Sequence, residues 1–159
     1  MRAAVAAVVL GAAPAAAQEA RSPYTFALTP TTGSSKAQGQ ARMVAAWSPF
    51  GIAVTAAGHE RYELRLKAGG LAPARSGLDS VYVAWVARPD LSEVRRLGVL
   101  REGQWLTAPT DWTAVLVVVS REGRASQDRW RGPIVLRGFS RAATLTPLSG
   151  HSIFNRPEL

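Results

Sequence analysis

The stretch from Val81 to Arg88 constrains the fold most, because it is apolar at both odd and even positions and rich in β-branched and aromatic residues. A strand with this pattern is buried on both faces. A second stretch, Thr113–Ser120, contains an apolar run from Val115 to Val119. It is the other segment apolar enough to lie beside the first at the centre of a sheet. The two stretches therefore predict a shared hydrophobic core.

Shorter segments separated by Gly- and Pro-rich turns predict further strands around this core. The clearest is 61–67, where apolar and charged residues alternate as in a strand with one buried face. An edge strand is predicted at 23–28, and a helix is the alternative to a strand at 91–97. The remaining predicted strands are 41–47, 52–57, 94–100, 104–106, 133–137 and 142–146. Eight to ten short strands without a sustained helical period indicate an all-β protein, an Ig-like antiparallel β-sandwich.

Loops are predicted where Gly, Pro, Ser and Thr accumulate. Residues 29–39 form a turn-rich linker, 68–80 a long crossover and 107–111 a loop around Pro109. Ser48–Gly51 suits a type II turn, in which a glycine takes the positive φ angle.

The first residues have the pattern of a secretory signal peptide: a basic Arg2, an apolar stretch of small residues and an Ala-rich cleavage site before Gln18. We expect export to the periplasm or the cell exterior. A retained anchor is the alternative, but the apolar stretch is shorter than the roughly 20 residues that span a bilayer, so no stable membrane insertion is expected after cleavage. The predicted organisation is a signal peptide at 1–17, an N-terminal strand and flexible linker at 18–40, a β-sandwich domain at 41–148 and a C-terminal tail at 149–159.

The chain is basic, with 19 Lys and Arg against 11 Asp and Glu and a formal net charge of +8 at pH 7. The basic residues are interleaved with acids and accompany no recognised nucleic-acid-binding motif, so nucleic acid is not an expected partner. A protein or an anionic component of the cell envelope is expected instead. Cysteine is absent, which excludes thiolate nucleophiles and thiolate metal ligands.

Patterns that carry catalysis or metal binding are sparse, and no G-x-S-x-G or H-E-x-x-H motif is present. The two histidines, His59 and His151, are far apart in the chain. His59 and Glu63 on an extended strand would lie roughly 13 Å apart, too far to share a metal ion. The loop acids are Asp79, Asp90 and Asp111. They are expected to bond to nearby backbone, although distant carboxylates could still pair for glycoside chemistry. We therefore expect no enzyme activity, no metal site and no cofactor.

Tryptophan is the aromatic residue most informative about surfaces. Trp85 lies inside the central run and is expected to fill the core. Trp105, Trp112 and Trp130 border loops, where they either cap the ends of the sandwich or line a partner surface. The candidate partner-binding residues all lie in the basic loop 121–131, and they are Arg124, Arg129, Trp130 and Arg131.

Two partial resemblances bear on function. Tyr82-Val83-Ala84-Trp85-Val86, Leu97-Gly98-Val99-Leu100, the Val115–Val119 strand and Gly132-Pro133-Ile134-Val135-Leu136 follow one another in an order that resembles the exported C-terminal domain of anti-sigma-K-type factors. That resemblance covers residues 81–138 and implies a β-sandwich with a sensory role.

The second resemblance extends over almost the whole mature chain. It is carried by Pro23-Tyr24-Thr25-Phe26, Ala41-Arg42-Met43, the segment from Ser48 to Thr55, Tyr82-Val83-Ala84-Trp85 and His151-Ser152-Ile153-Phe154. These residues look like the region preceding the cupredoxin domains of some large bacterial multicopper oxidases. The copper-binding His-Cys-His motifs are absent, so no oxidase residue is carried over.

The sequence thus predicts an exported, non-catalytic β-sandwich that serves as an accessory or protein-interaction module associated with a multicopper oxidase. An extracytoplasmic sensory domain of an anti-sigma factor system is the alternative. A hydrolase or carbohydrate-binding module is a third hypothesis, because distant loop residues can converge in a fold.

Overall fold

The structure is a computed structural model that describes residues 24–34, 36–72, 80–123 and 128–145. These residues form eight strands and one short helix. The strands are β1 (Thr25–Pro30), β2 (Gln38–Ala45), β3 (Tyr62–Gly69), β4 (Val81–Ala87), β5 (Val94–Val99), β6 (Leu106–Thr110), β7 (Leu116–Glu122) and β8 (Ile134–Phe139), and the helix α1 is Arg141–Thr144. The prediction of an all-β, sandwich-like fold is confirmed. The predicted signal peptide and C-terminal tail lie outside the described residues.

The strands form one antiparallel sheet in the order β5-β4-β7-β8-β1-β2-β3-β6. The sheet curls until its two terminal strands approach each other, since a Cβ atom on Gly98 of β5 would lie 3.2 Å from Leu106 Cδ1 of β6. The half formed by β5, β4, β7 and β8 therefore faces the half formed by β1, β2, β3 and β6. The result is nearly a barrel.

The main core fills the space between the two halves. The alternation predicted for 61–67 is confirmed, because Tyr62, Leu64 and Leu66 of β3 point into this core while Arg65 is exposed. From the opposite half, the core receives fully buried side chains of β7 and β8. In a chain without disulfides, the removal of these aliphatic side chains from water is the dominant stabilising contribution.

Strand β4 is buried on both faces, as the sequence predicts. It lies between β5 and β7, and it pairs with β7 along its whole length. Ala84 and Val86 face the main core, whereas Val83, Trp85 and Ala87 belong to a second hydrophobic cluster on the outer face of the sheet. Trp85 is only 1% exposed. It is therefore buried as predicted, but on the side of the sheet opposite to the main core.

The predicted edge strand at 23–28 is wrong in its position within the sheet. Strand β1 lies between β2 and β8, with Phe26 opposite Ala41 and Thr29 opposite Arg137. The linker predicted at 29–39 is also shorter than expected, because β1 continues to Pro30.

Three other segments differ from their predictions. Residues 52–57 contain one isolated bridge, between Val54 and Glu60, instead of a strand. The loop predicted at 107–111 is largely β6, which accommodates Pro109 because a terminal strand donates hydrogen bonds on one side only. The strand predicted at 142–146 is replaced by α1, which begins after Ser140, whose hydroxyl accepts a hydrogen bond from the N–H of Ala143.

The alternatives at 91–97 are also resolved, since this segment enters β5 and forms no helix. Within the described ranges, no helix has the length and apolar character needed to cross a bilayer.

The barrel has two different ends. At one, which we call the Trp112 end, the described loops are 46–61, 88–93, 111–115 and 140–145. Trp112 is 5% exposed and packs in the main core. The guanidinium groups of Arg95 and Arg88 lie 3.9 and 4.9 Å from the centroid of its ring. The other end, which we call the open end, carries the described loop residues 31–34, 36–37, 70–72, 100–105 and 128–133.

Candidate functional site

The residues predicted to bind a partner lie in the segment 128–133, except for Arg124, which is outside the described residues. Arg129 and Arg131 are exposed. Trp130 is half-buried, with its ring edge-on to Trp85 at a centroid distance of 6.3 Å. The segment therefore covers the second hydrophobic cluster with Trp130 and directs its two arginines to solvent. We call it the covering segment.

A buried carboxylate fixes the covering segment to β7. Glu122, which is 4% exposed, accepts hydrogen bonds from the backbone N–H groups of Arg131 (3.2 Å) and Gly132 (3.0 Å). It also accepts one from the hydroxyl of Ser120, and that hydroxyl in turn accepts the indole N–H of Trp85 at 2.8 Å. Sequence analysis missed this network because Ser120 and Glu122 continue an apolar strand and resemble the start of a polar loop.

The loop acids are engaged in local interactions. Asp90 accepts hydrogen bonds from the hydroxyl and the N–H of Ser92, and these bonds hold the pKa of Asp90 below its ordinary value. Asp111 instead accepts a hydrogen bond from Arg95 at 2.8 Å, which lowers the pKa of Asp111. Neither carboxyl is a proton donor near neutral pH. Asp79 lies outside the described residues.

The described histidine, His59, is exposed on loop 46–61. Glu63 lies on the following strand, where its carboxylate pairs with Arg65 at 2.8 Å. Across the described part of the chain, no three His, Asp or Glu side chains come together as metal ligands.

The most exposed aromatic side chains in the described part of the chain lie on the loop 46–61, which joins β2 to β3 at the Trp112 end. Phe50 is 93% exposed and Trp47 is 84% exposed, and Ile52 and Val54 beside them are also exposed. Single exposed apolar residues are ordinary in proteins, but a cluster of them marks an interaction site. We call residues 47–54 the apolar tip.

The chain around the apolar tip is uncharged, because residues 43–58 contain no Asp, Glu, Lys, Arg or His. The sequence predicted strands on both sides of a turn here. Apolar residues in a sequence usually indicate burial, so the sequence did not distinguish this exposed surface from core.

The loop that carries the apolar tip is held by its own hydrogen bonds. The N–H of Gly51 bonds to the carbonyl of Ser48 (3.2 Å), and the N–H of Arg61 bonds to the carbonyl of Ala53 (2.8 Å). Gly51 has the predicted positive φ, but it is the fourth residue of the turn, so the turn is not type II. Because these bonds order the loop in advance, a partner would meet a largely pre-formed surface.

No family model matches this chain, and no curated protein or solved structure matches it significantly. The multicopper-oxidase and anti-sigma resemblances therefore stay predictions. The function is inferred below from the surface chemistry of the described residues.

A titratable tyrosine lies where the loop 46–61 meets β3. The hydroxyl of Tyr62 donates to the carboxylate of Glu60 at 2.6 Å, and this bond, together with burial, raises the pKa of Tyr62 from 10.0 to about 12. A group whose pKa is higher in the folded state contributes stability that is lost as the pH rises through that pKa. We therefore expect the free energy of unfolding to fall as the pH rises from 10 towards 12. The Tyr62→Phe variant should lose this part of the pH dependence in denaturant titrations, and an unchanged slope in the variant would contradict the assignment.

Proposed function

We propose that the protein is an exported, non-catalytic interaction module that binds a partner protein through the apolar tip. The observation that carries this proposal is the exposure of Trp47 and Phe50 on an uncharged, internally hydrogen-bonded loop. Burial of one aromatic side chain removes roughly 150–250 Å² of surface from water, a favourable contribution to association that the entropy cost of binding partly offsets. Two such anchors can therefore supply the centre of an interface.

The charges at the Trp112 end favour a protein over an anionic membrane. Surfaces that dock on anionic lipid surround their apolar residues with Lys and Arg. The described loops of this end, together with Arg95, instead carry as many acids as arginines. The charged residues are Arg61, Arg88, Arg95 and Arg141 against Glu60, Asp90, Glu93 and Asp111. A mixed polar rim around an apolar centre is the usual composition of a protein interface.

A shallow groove of about 400 Å³ lies beside the apolar tip. Val54 and Thr55 form one side of this groove, and Arg61, Arg95 and Asp111 contribute polar groups to it. A partner that covers the aromatic side chains thus meets hydrogen-bonding groups next to them. Apolar anchors beside hydrogen-bonding groups favour specific binding to one partner over non-specific hydrophobic association.

A multicopper oxidase is the first partner class that we propose, because the sequence resemblance places a domain of this type next to cupredoxin domains. A non-catalytic role is supported by the engagement of Asp90 and Asp111 in local bonds that lower their pKa values. Carboxyl groups held ionised in this way suit a binding rim better than proton transfer.

Replacement of both Trp47 and Phe50 by serine is expected to weaken partner binding by a hundredfold or more, because hot-spot residues contribute about 2 kcal/mol or more each. The immobilised mature chain would be exposed to envelope extract from the producing cells, the retained protein identified, and its affinity measured with purified components. The thermal stability of the double variant should stay unchanged, since both side chains are exposed.

Trp105→Ser is the matched control, because Trp105 is 53% exposed but lies at the open end. It should bind the partner as the wild type does. Full retention of the partner by the Trp47→Ser/Phe50→Ser variant, with loss in an Arg129→Ala/Arg131→Ala variant, would move the binding surface to the covering segment.

A further inference from the structure

The open end of the barrel contains a cavity of about 720 Å³. Its floor is apolar and continuous with the main core, because Ala37, Leu71 and Val135 line the cavity and are also buried members of that core. Pockets for small molecules commonly measure roughly 300–1,000 Å³ and occur at the mouths of β-barrels. The cavity thus has the size and the apolar lining of a ligand site.

Hydrogen bonds between separate elements hold the walls of this cavity in place. The hydroxyl of Tyr82 donates to the carbonyl of Ala72 at 2.6 Å, which ties the loop that follows β3 to the start of β4. The N–H of Thr31 donates to the carbonyl of Val135 at 3.0 Å and closes the wall between β1 and β8. A site that exists before the ligand arrives binds with a smaller loss of conformational entropy.

Arg121 supplies a cation at the wall of the cavity. It is the direct partner of Tyr82 in the ladder between β4 and β7, and it occupies an inward-facing position of β7 like Val117 and Val119. Its side chain is half-buried, and within the described part of the chain it has neither an ion pair nor a hydrogen bond from its guanidinium. A partly desolvated guanidinium without an anion has unused capacity to bind a carboxylate or phosphate with two hydrogen bonds.

The other charges near the cavity reinforce this preference. Lys36 also lines it, and no Asp or Glu occurs among the described lining residues. Glu102, on a neighbouring loop, accepts a hydrogen bond from the N–H of Gly70 at 2.8 Å and is not part of the lining. Among the described residues, the charged side chains that line the cavity are therefore both cationic and favour an anion.

We propose that this cavity binds a small amphipathic anion, whose apolar chain lies on the floor and whose anionic head group pairs with Arg121. Apolar floor and cationic wall occur together at this end, whereas the apolar tip lies at the opposite end of the barrel. The proposal is therefore independent of partner binding through the apolar tip.

The test is calorimetric titration of the mature chain with dodecanoate and with dodecyl phosphate, both below their micelle concentrations, and with dodecanol as the neutral analogue. We expect saturable one-to-one binding of at least one of the anions, and the stronger binder of the two identifies the head group. Arg121→Gln should weaken that binding about tenfold or more, the effect expected when one charge-assisted hydrogen-bond pair is lost. Arg101→Gln makes the same change in net charge at a loop residue outside the cavity lining, and it should bind as the wild type does.

A second variant, Ala72→Trp, should block binding by filling the exposed rim of the cavity while keeping the backbone carbonyl that Tyr82 contacts. This variant decides the matter if Arg121→Gln fails to fold. Failure of both anions to bind, equal affinity for dodecanol, or unchanged binding by a folded Arg121→Gln or Ala72→Trp variant would overturn the proposal.

Discussion

Trp85→Ala is expected to lower the free energy of unfolding by about 3–5 kcal/mol, the range for large-to-small changes at buried aromatic residues. Trp85 is fully enclosed in the second hydrophobic cluster, and its indole N–H bonds to the Ser120 hydroxyl. Alanine would leave a cavity next to Trp130 and remove the donor to the Ser120–Glu122 network. Equilibrium unfolding in denaturant measures the change.

Trp85→Phe separates the two contributions, because it keeps most of the apolar volume and loses the hydrogen bond. Its effect should be smaller than that of Trp85→Ala. Trp105→Ala is the surface control and should change the free energy of unfolding by about 1 kcal/mol or less, since Trp105 is exposed and its main described contact is a cation–π interaction with Lys67. A midpoint that barely moves for Trp85→Ala would contradict the burial of Trp85 in the second hydrophobic cluster.

Gly132→Ala is expected to destabilise the protein by about 3 kcal/mol, at the upper end of the usual effect of overpacking. A Cβ atom at this position would lie 1.8 Å from the carbonyl oxygen of Arg121, which belongs to the backbone of β7 and cannot rotate away. The covering segment would have to move, and its backbone bonds to Glu122 would lengthen or break. Thermal unfolding should show the loss as a lower midpoint, and near-ultraviolet circular dichroism should report an altered environment of Trp85 and Trp130.

Gly123→Ala is the matched control for this change. Gly123 follows β7 directly and does not require a positive φ, and apart from its chain neighbours no atom of the described residues lies within 4 Å of its hypothetical Cβ. Alanine there should leave stability unchanged or raise it slightly. Equal destabilisation by both variants would show that the close approach of Gly132 to Arg121 is not what limits this position.

The strands that the sequence predicted well are those in which the order of apolar and polar residues directly shows whether one face or both faces are buried. Alternation in β3 specified which residues face the core, and the double apolar pattern of β4 specified burial on both faces. The pattern of β4 did not reveal that Trp85 faces away from the main core, because both parities are apolar. The position of β1 between β2 and β8 was also missed, because the pairing of Thr29 with Arg137 joins residues that are far apart in the sequence.

The surfaces proposed for binding were less accessible to sequence reasoning. Trp47 and Phe50 resemble core residues until the fold shows them exposed, so only the uncharged run around them was a signal. Trp130 differs in the opposite direction: its place in a basic loop suggested an exposed side chain, but the structure packs it partly against Trp85. The sequence did not single out Arg121 as a binding residue, because its place in the cavity wall follows from the strand register that pairs it with Tyr82. Each depends on tertiary contacts that a pattern of residues does not encode.

Photo-crosslinking from the apolar tip tests the central proposal most directly. Benzoylphenylalanine would be placed in turn at Phe50 and at Trp105, and each protein would be irradiated in the envelope of the producing cells. We predict one dominant protein adduct from position 50, which excess wild-type chain competes away and which the position 105 probe does not form. Adducts mainly with lipid, equal adducts from both positions, or no competable protein adduct from position 50 would contradict partner binding through the apolar tip.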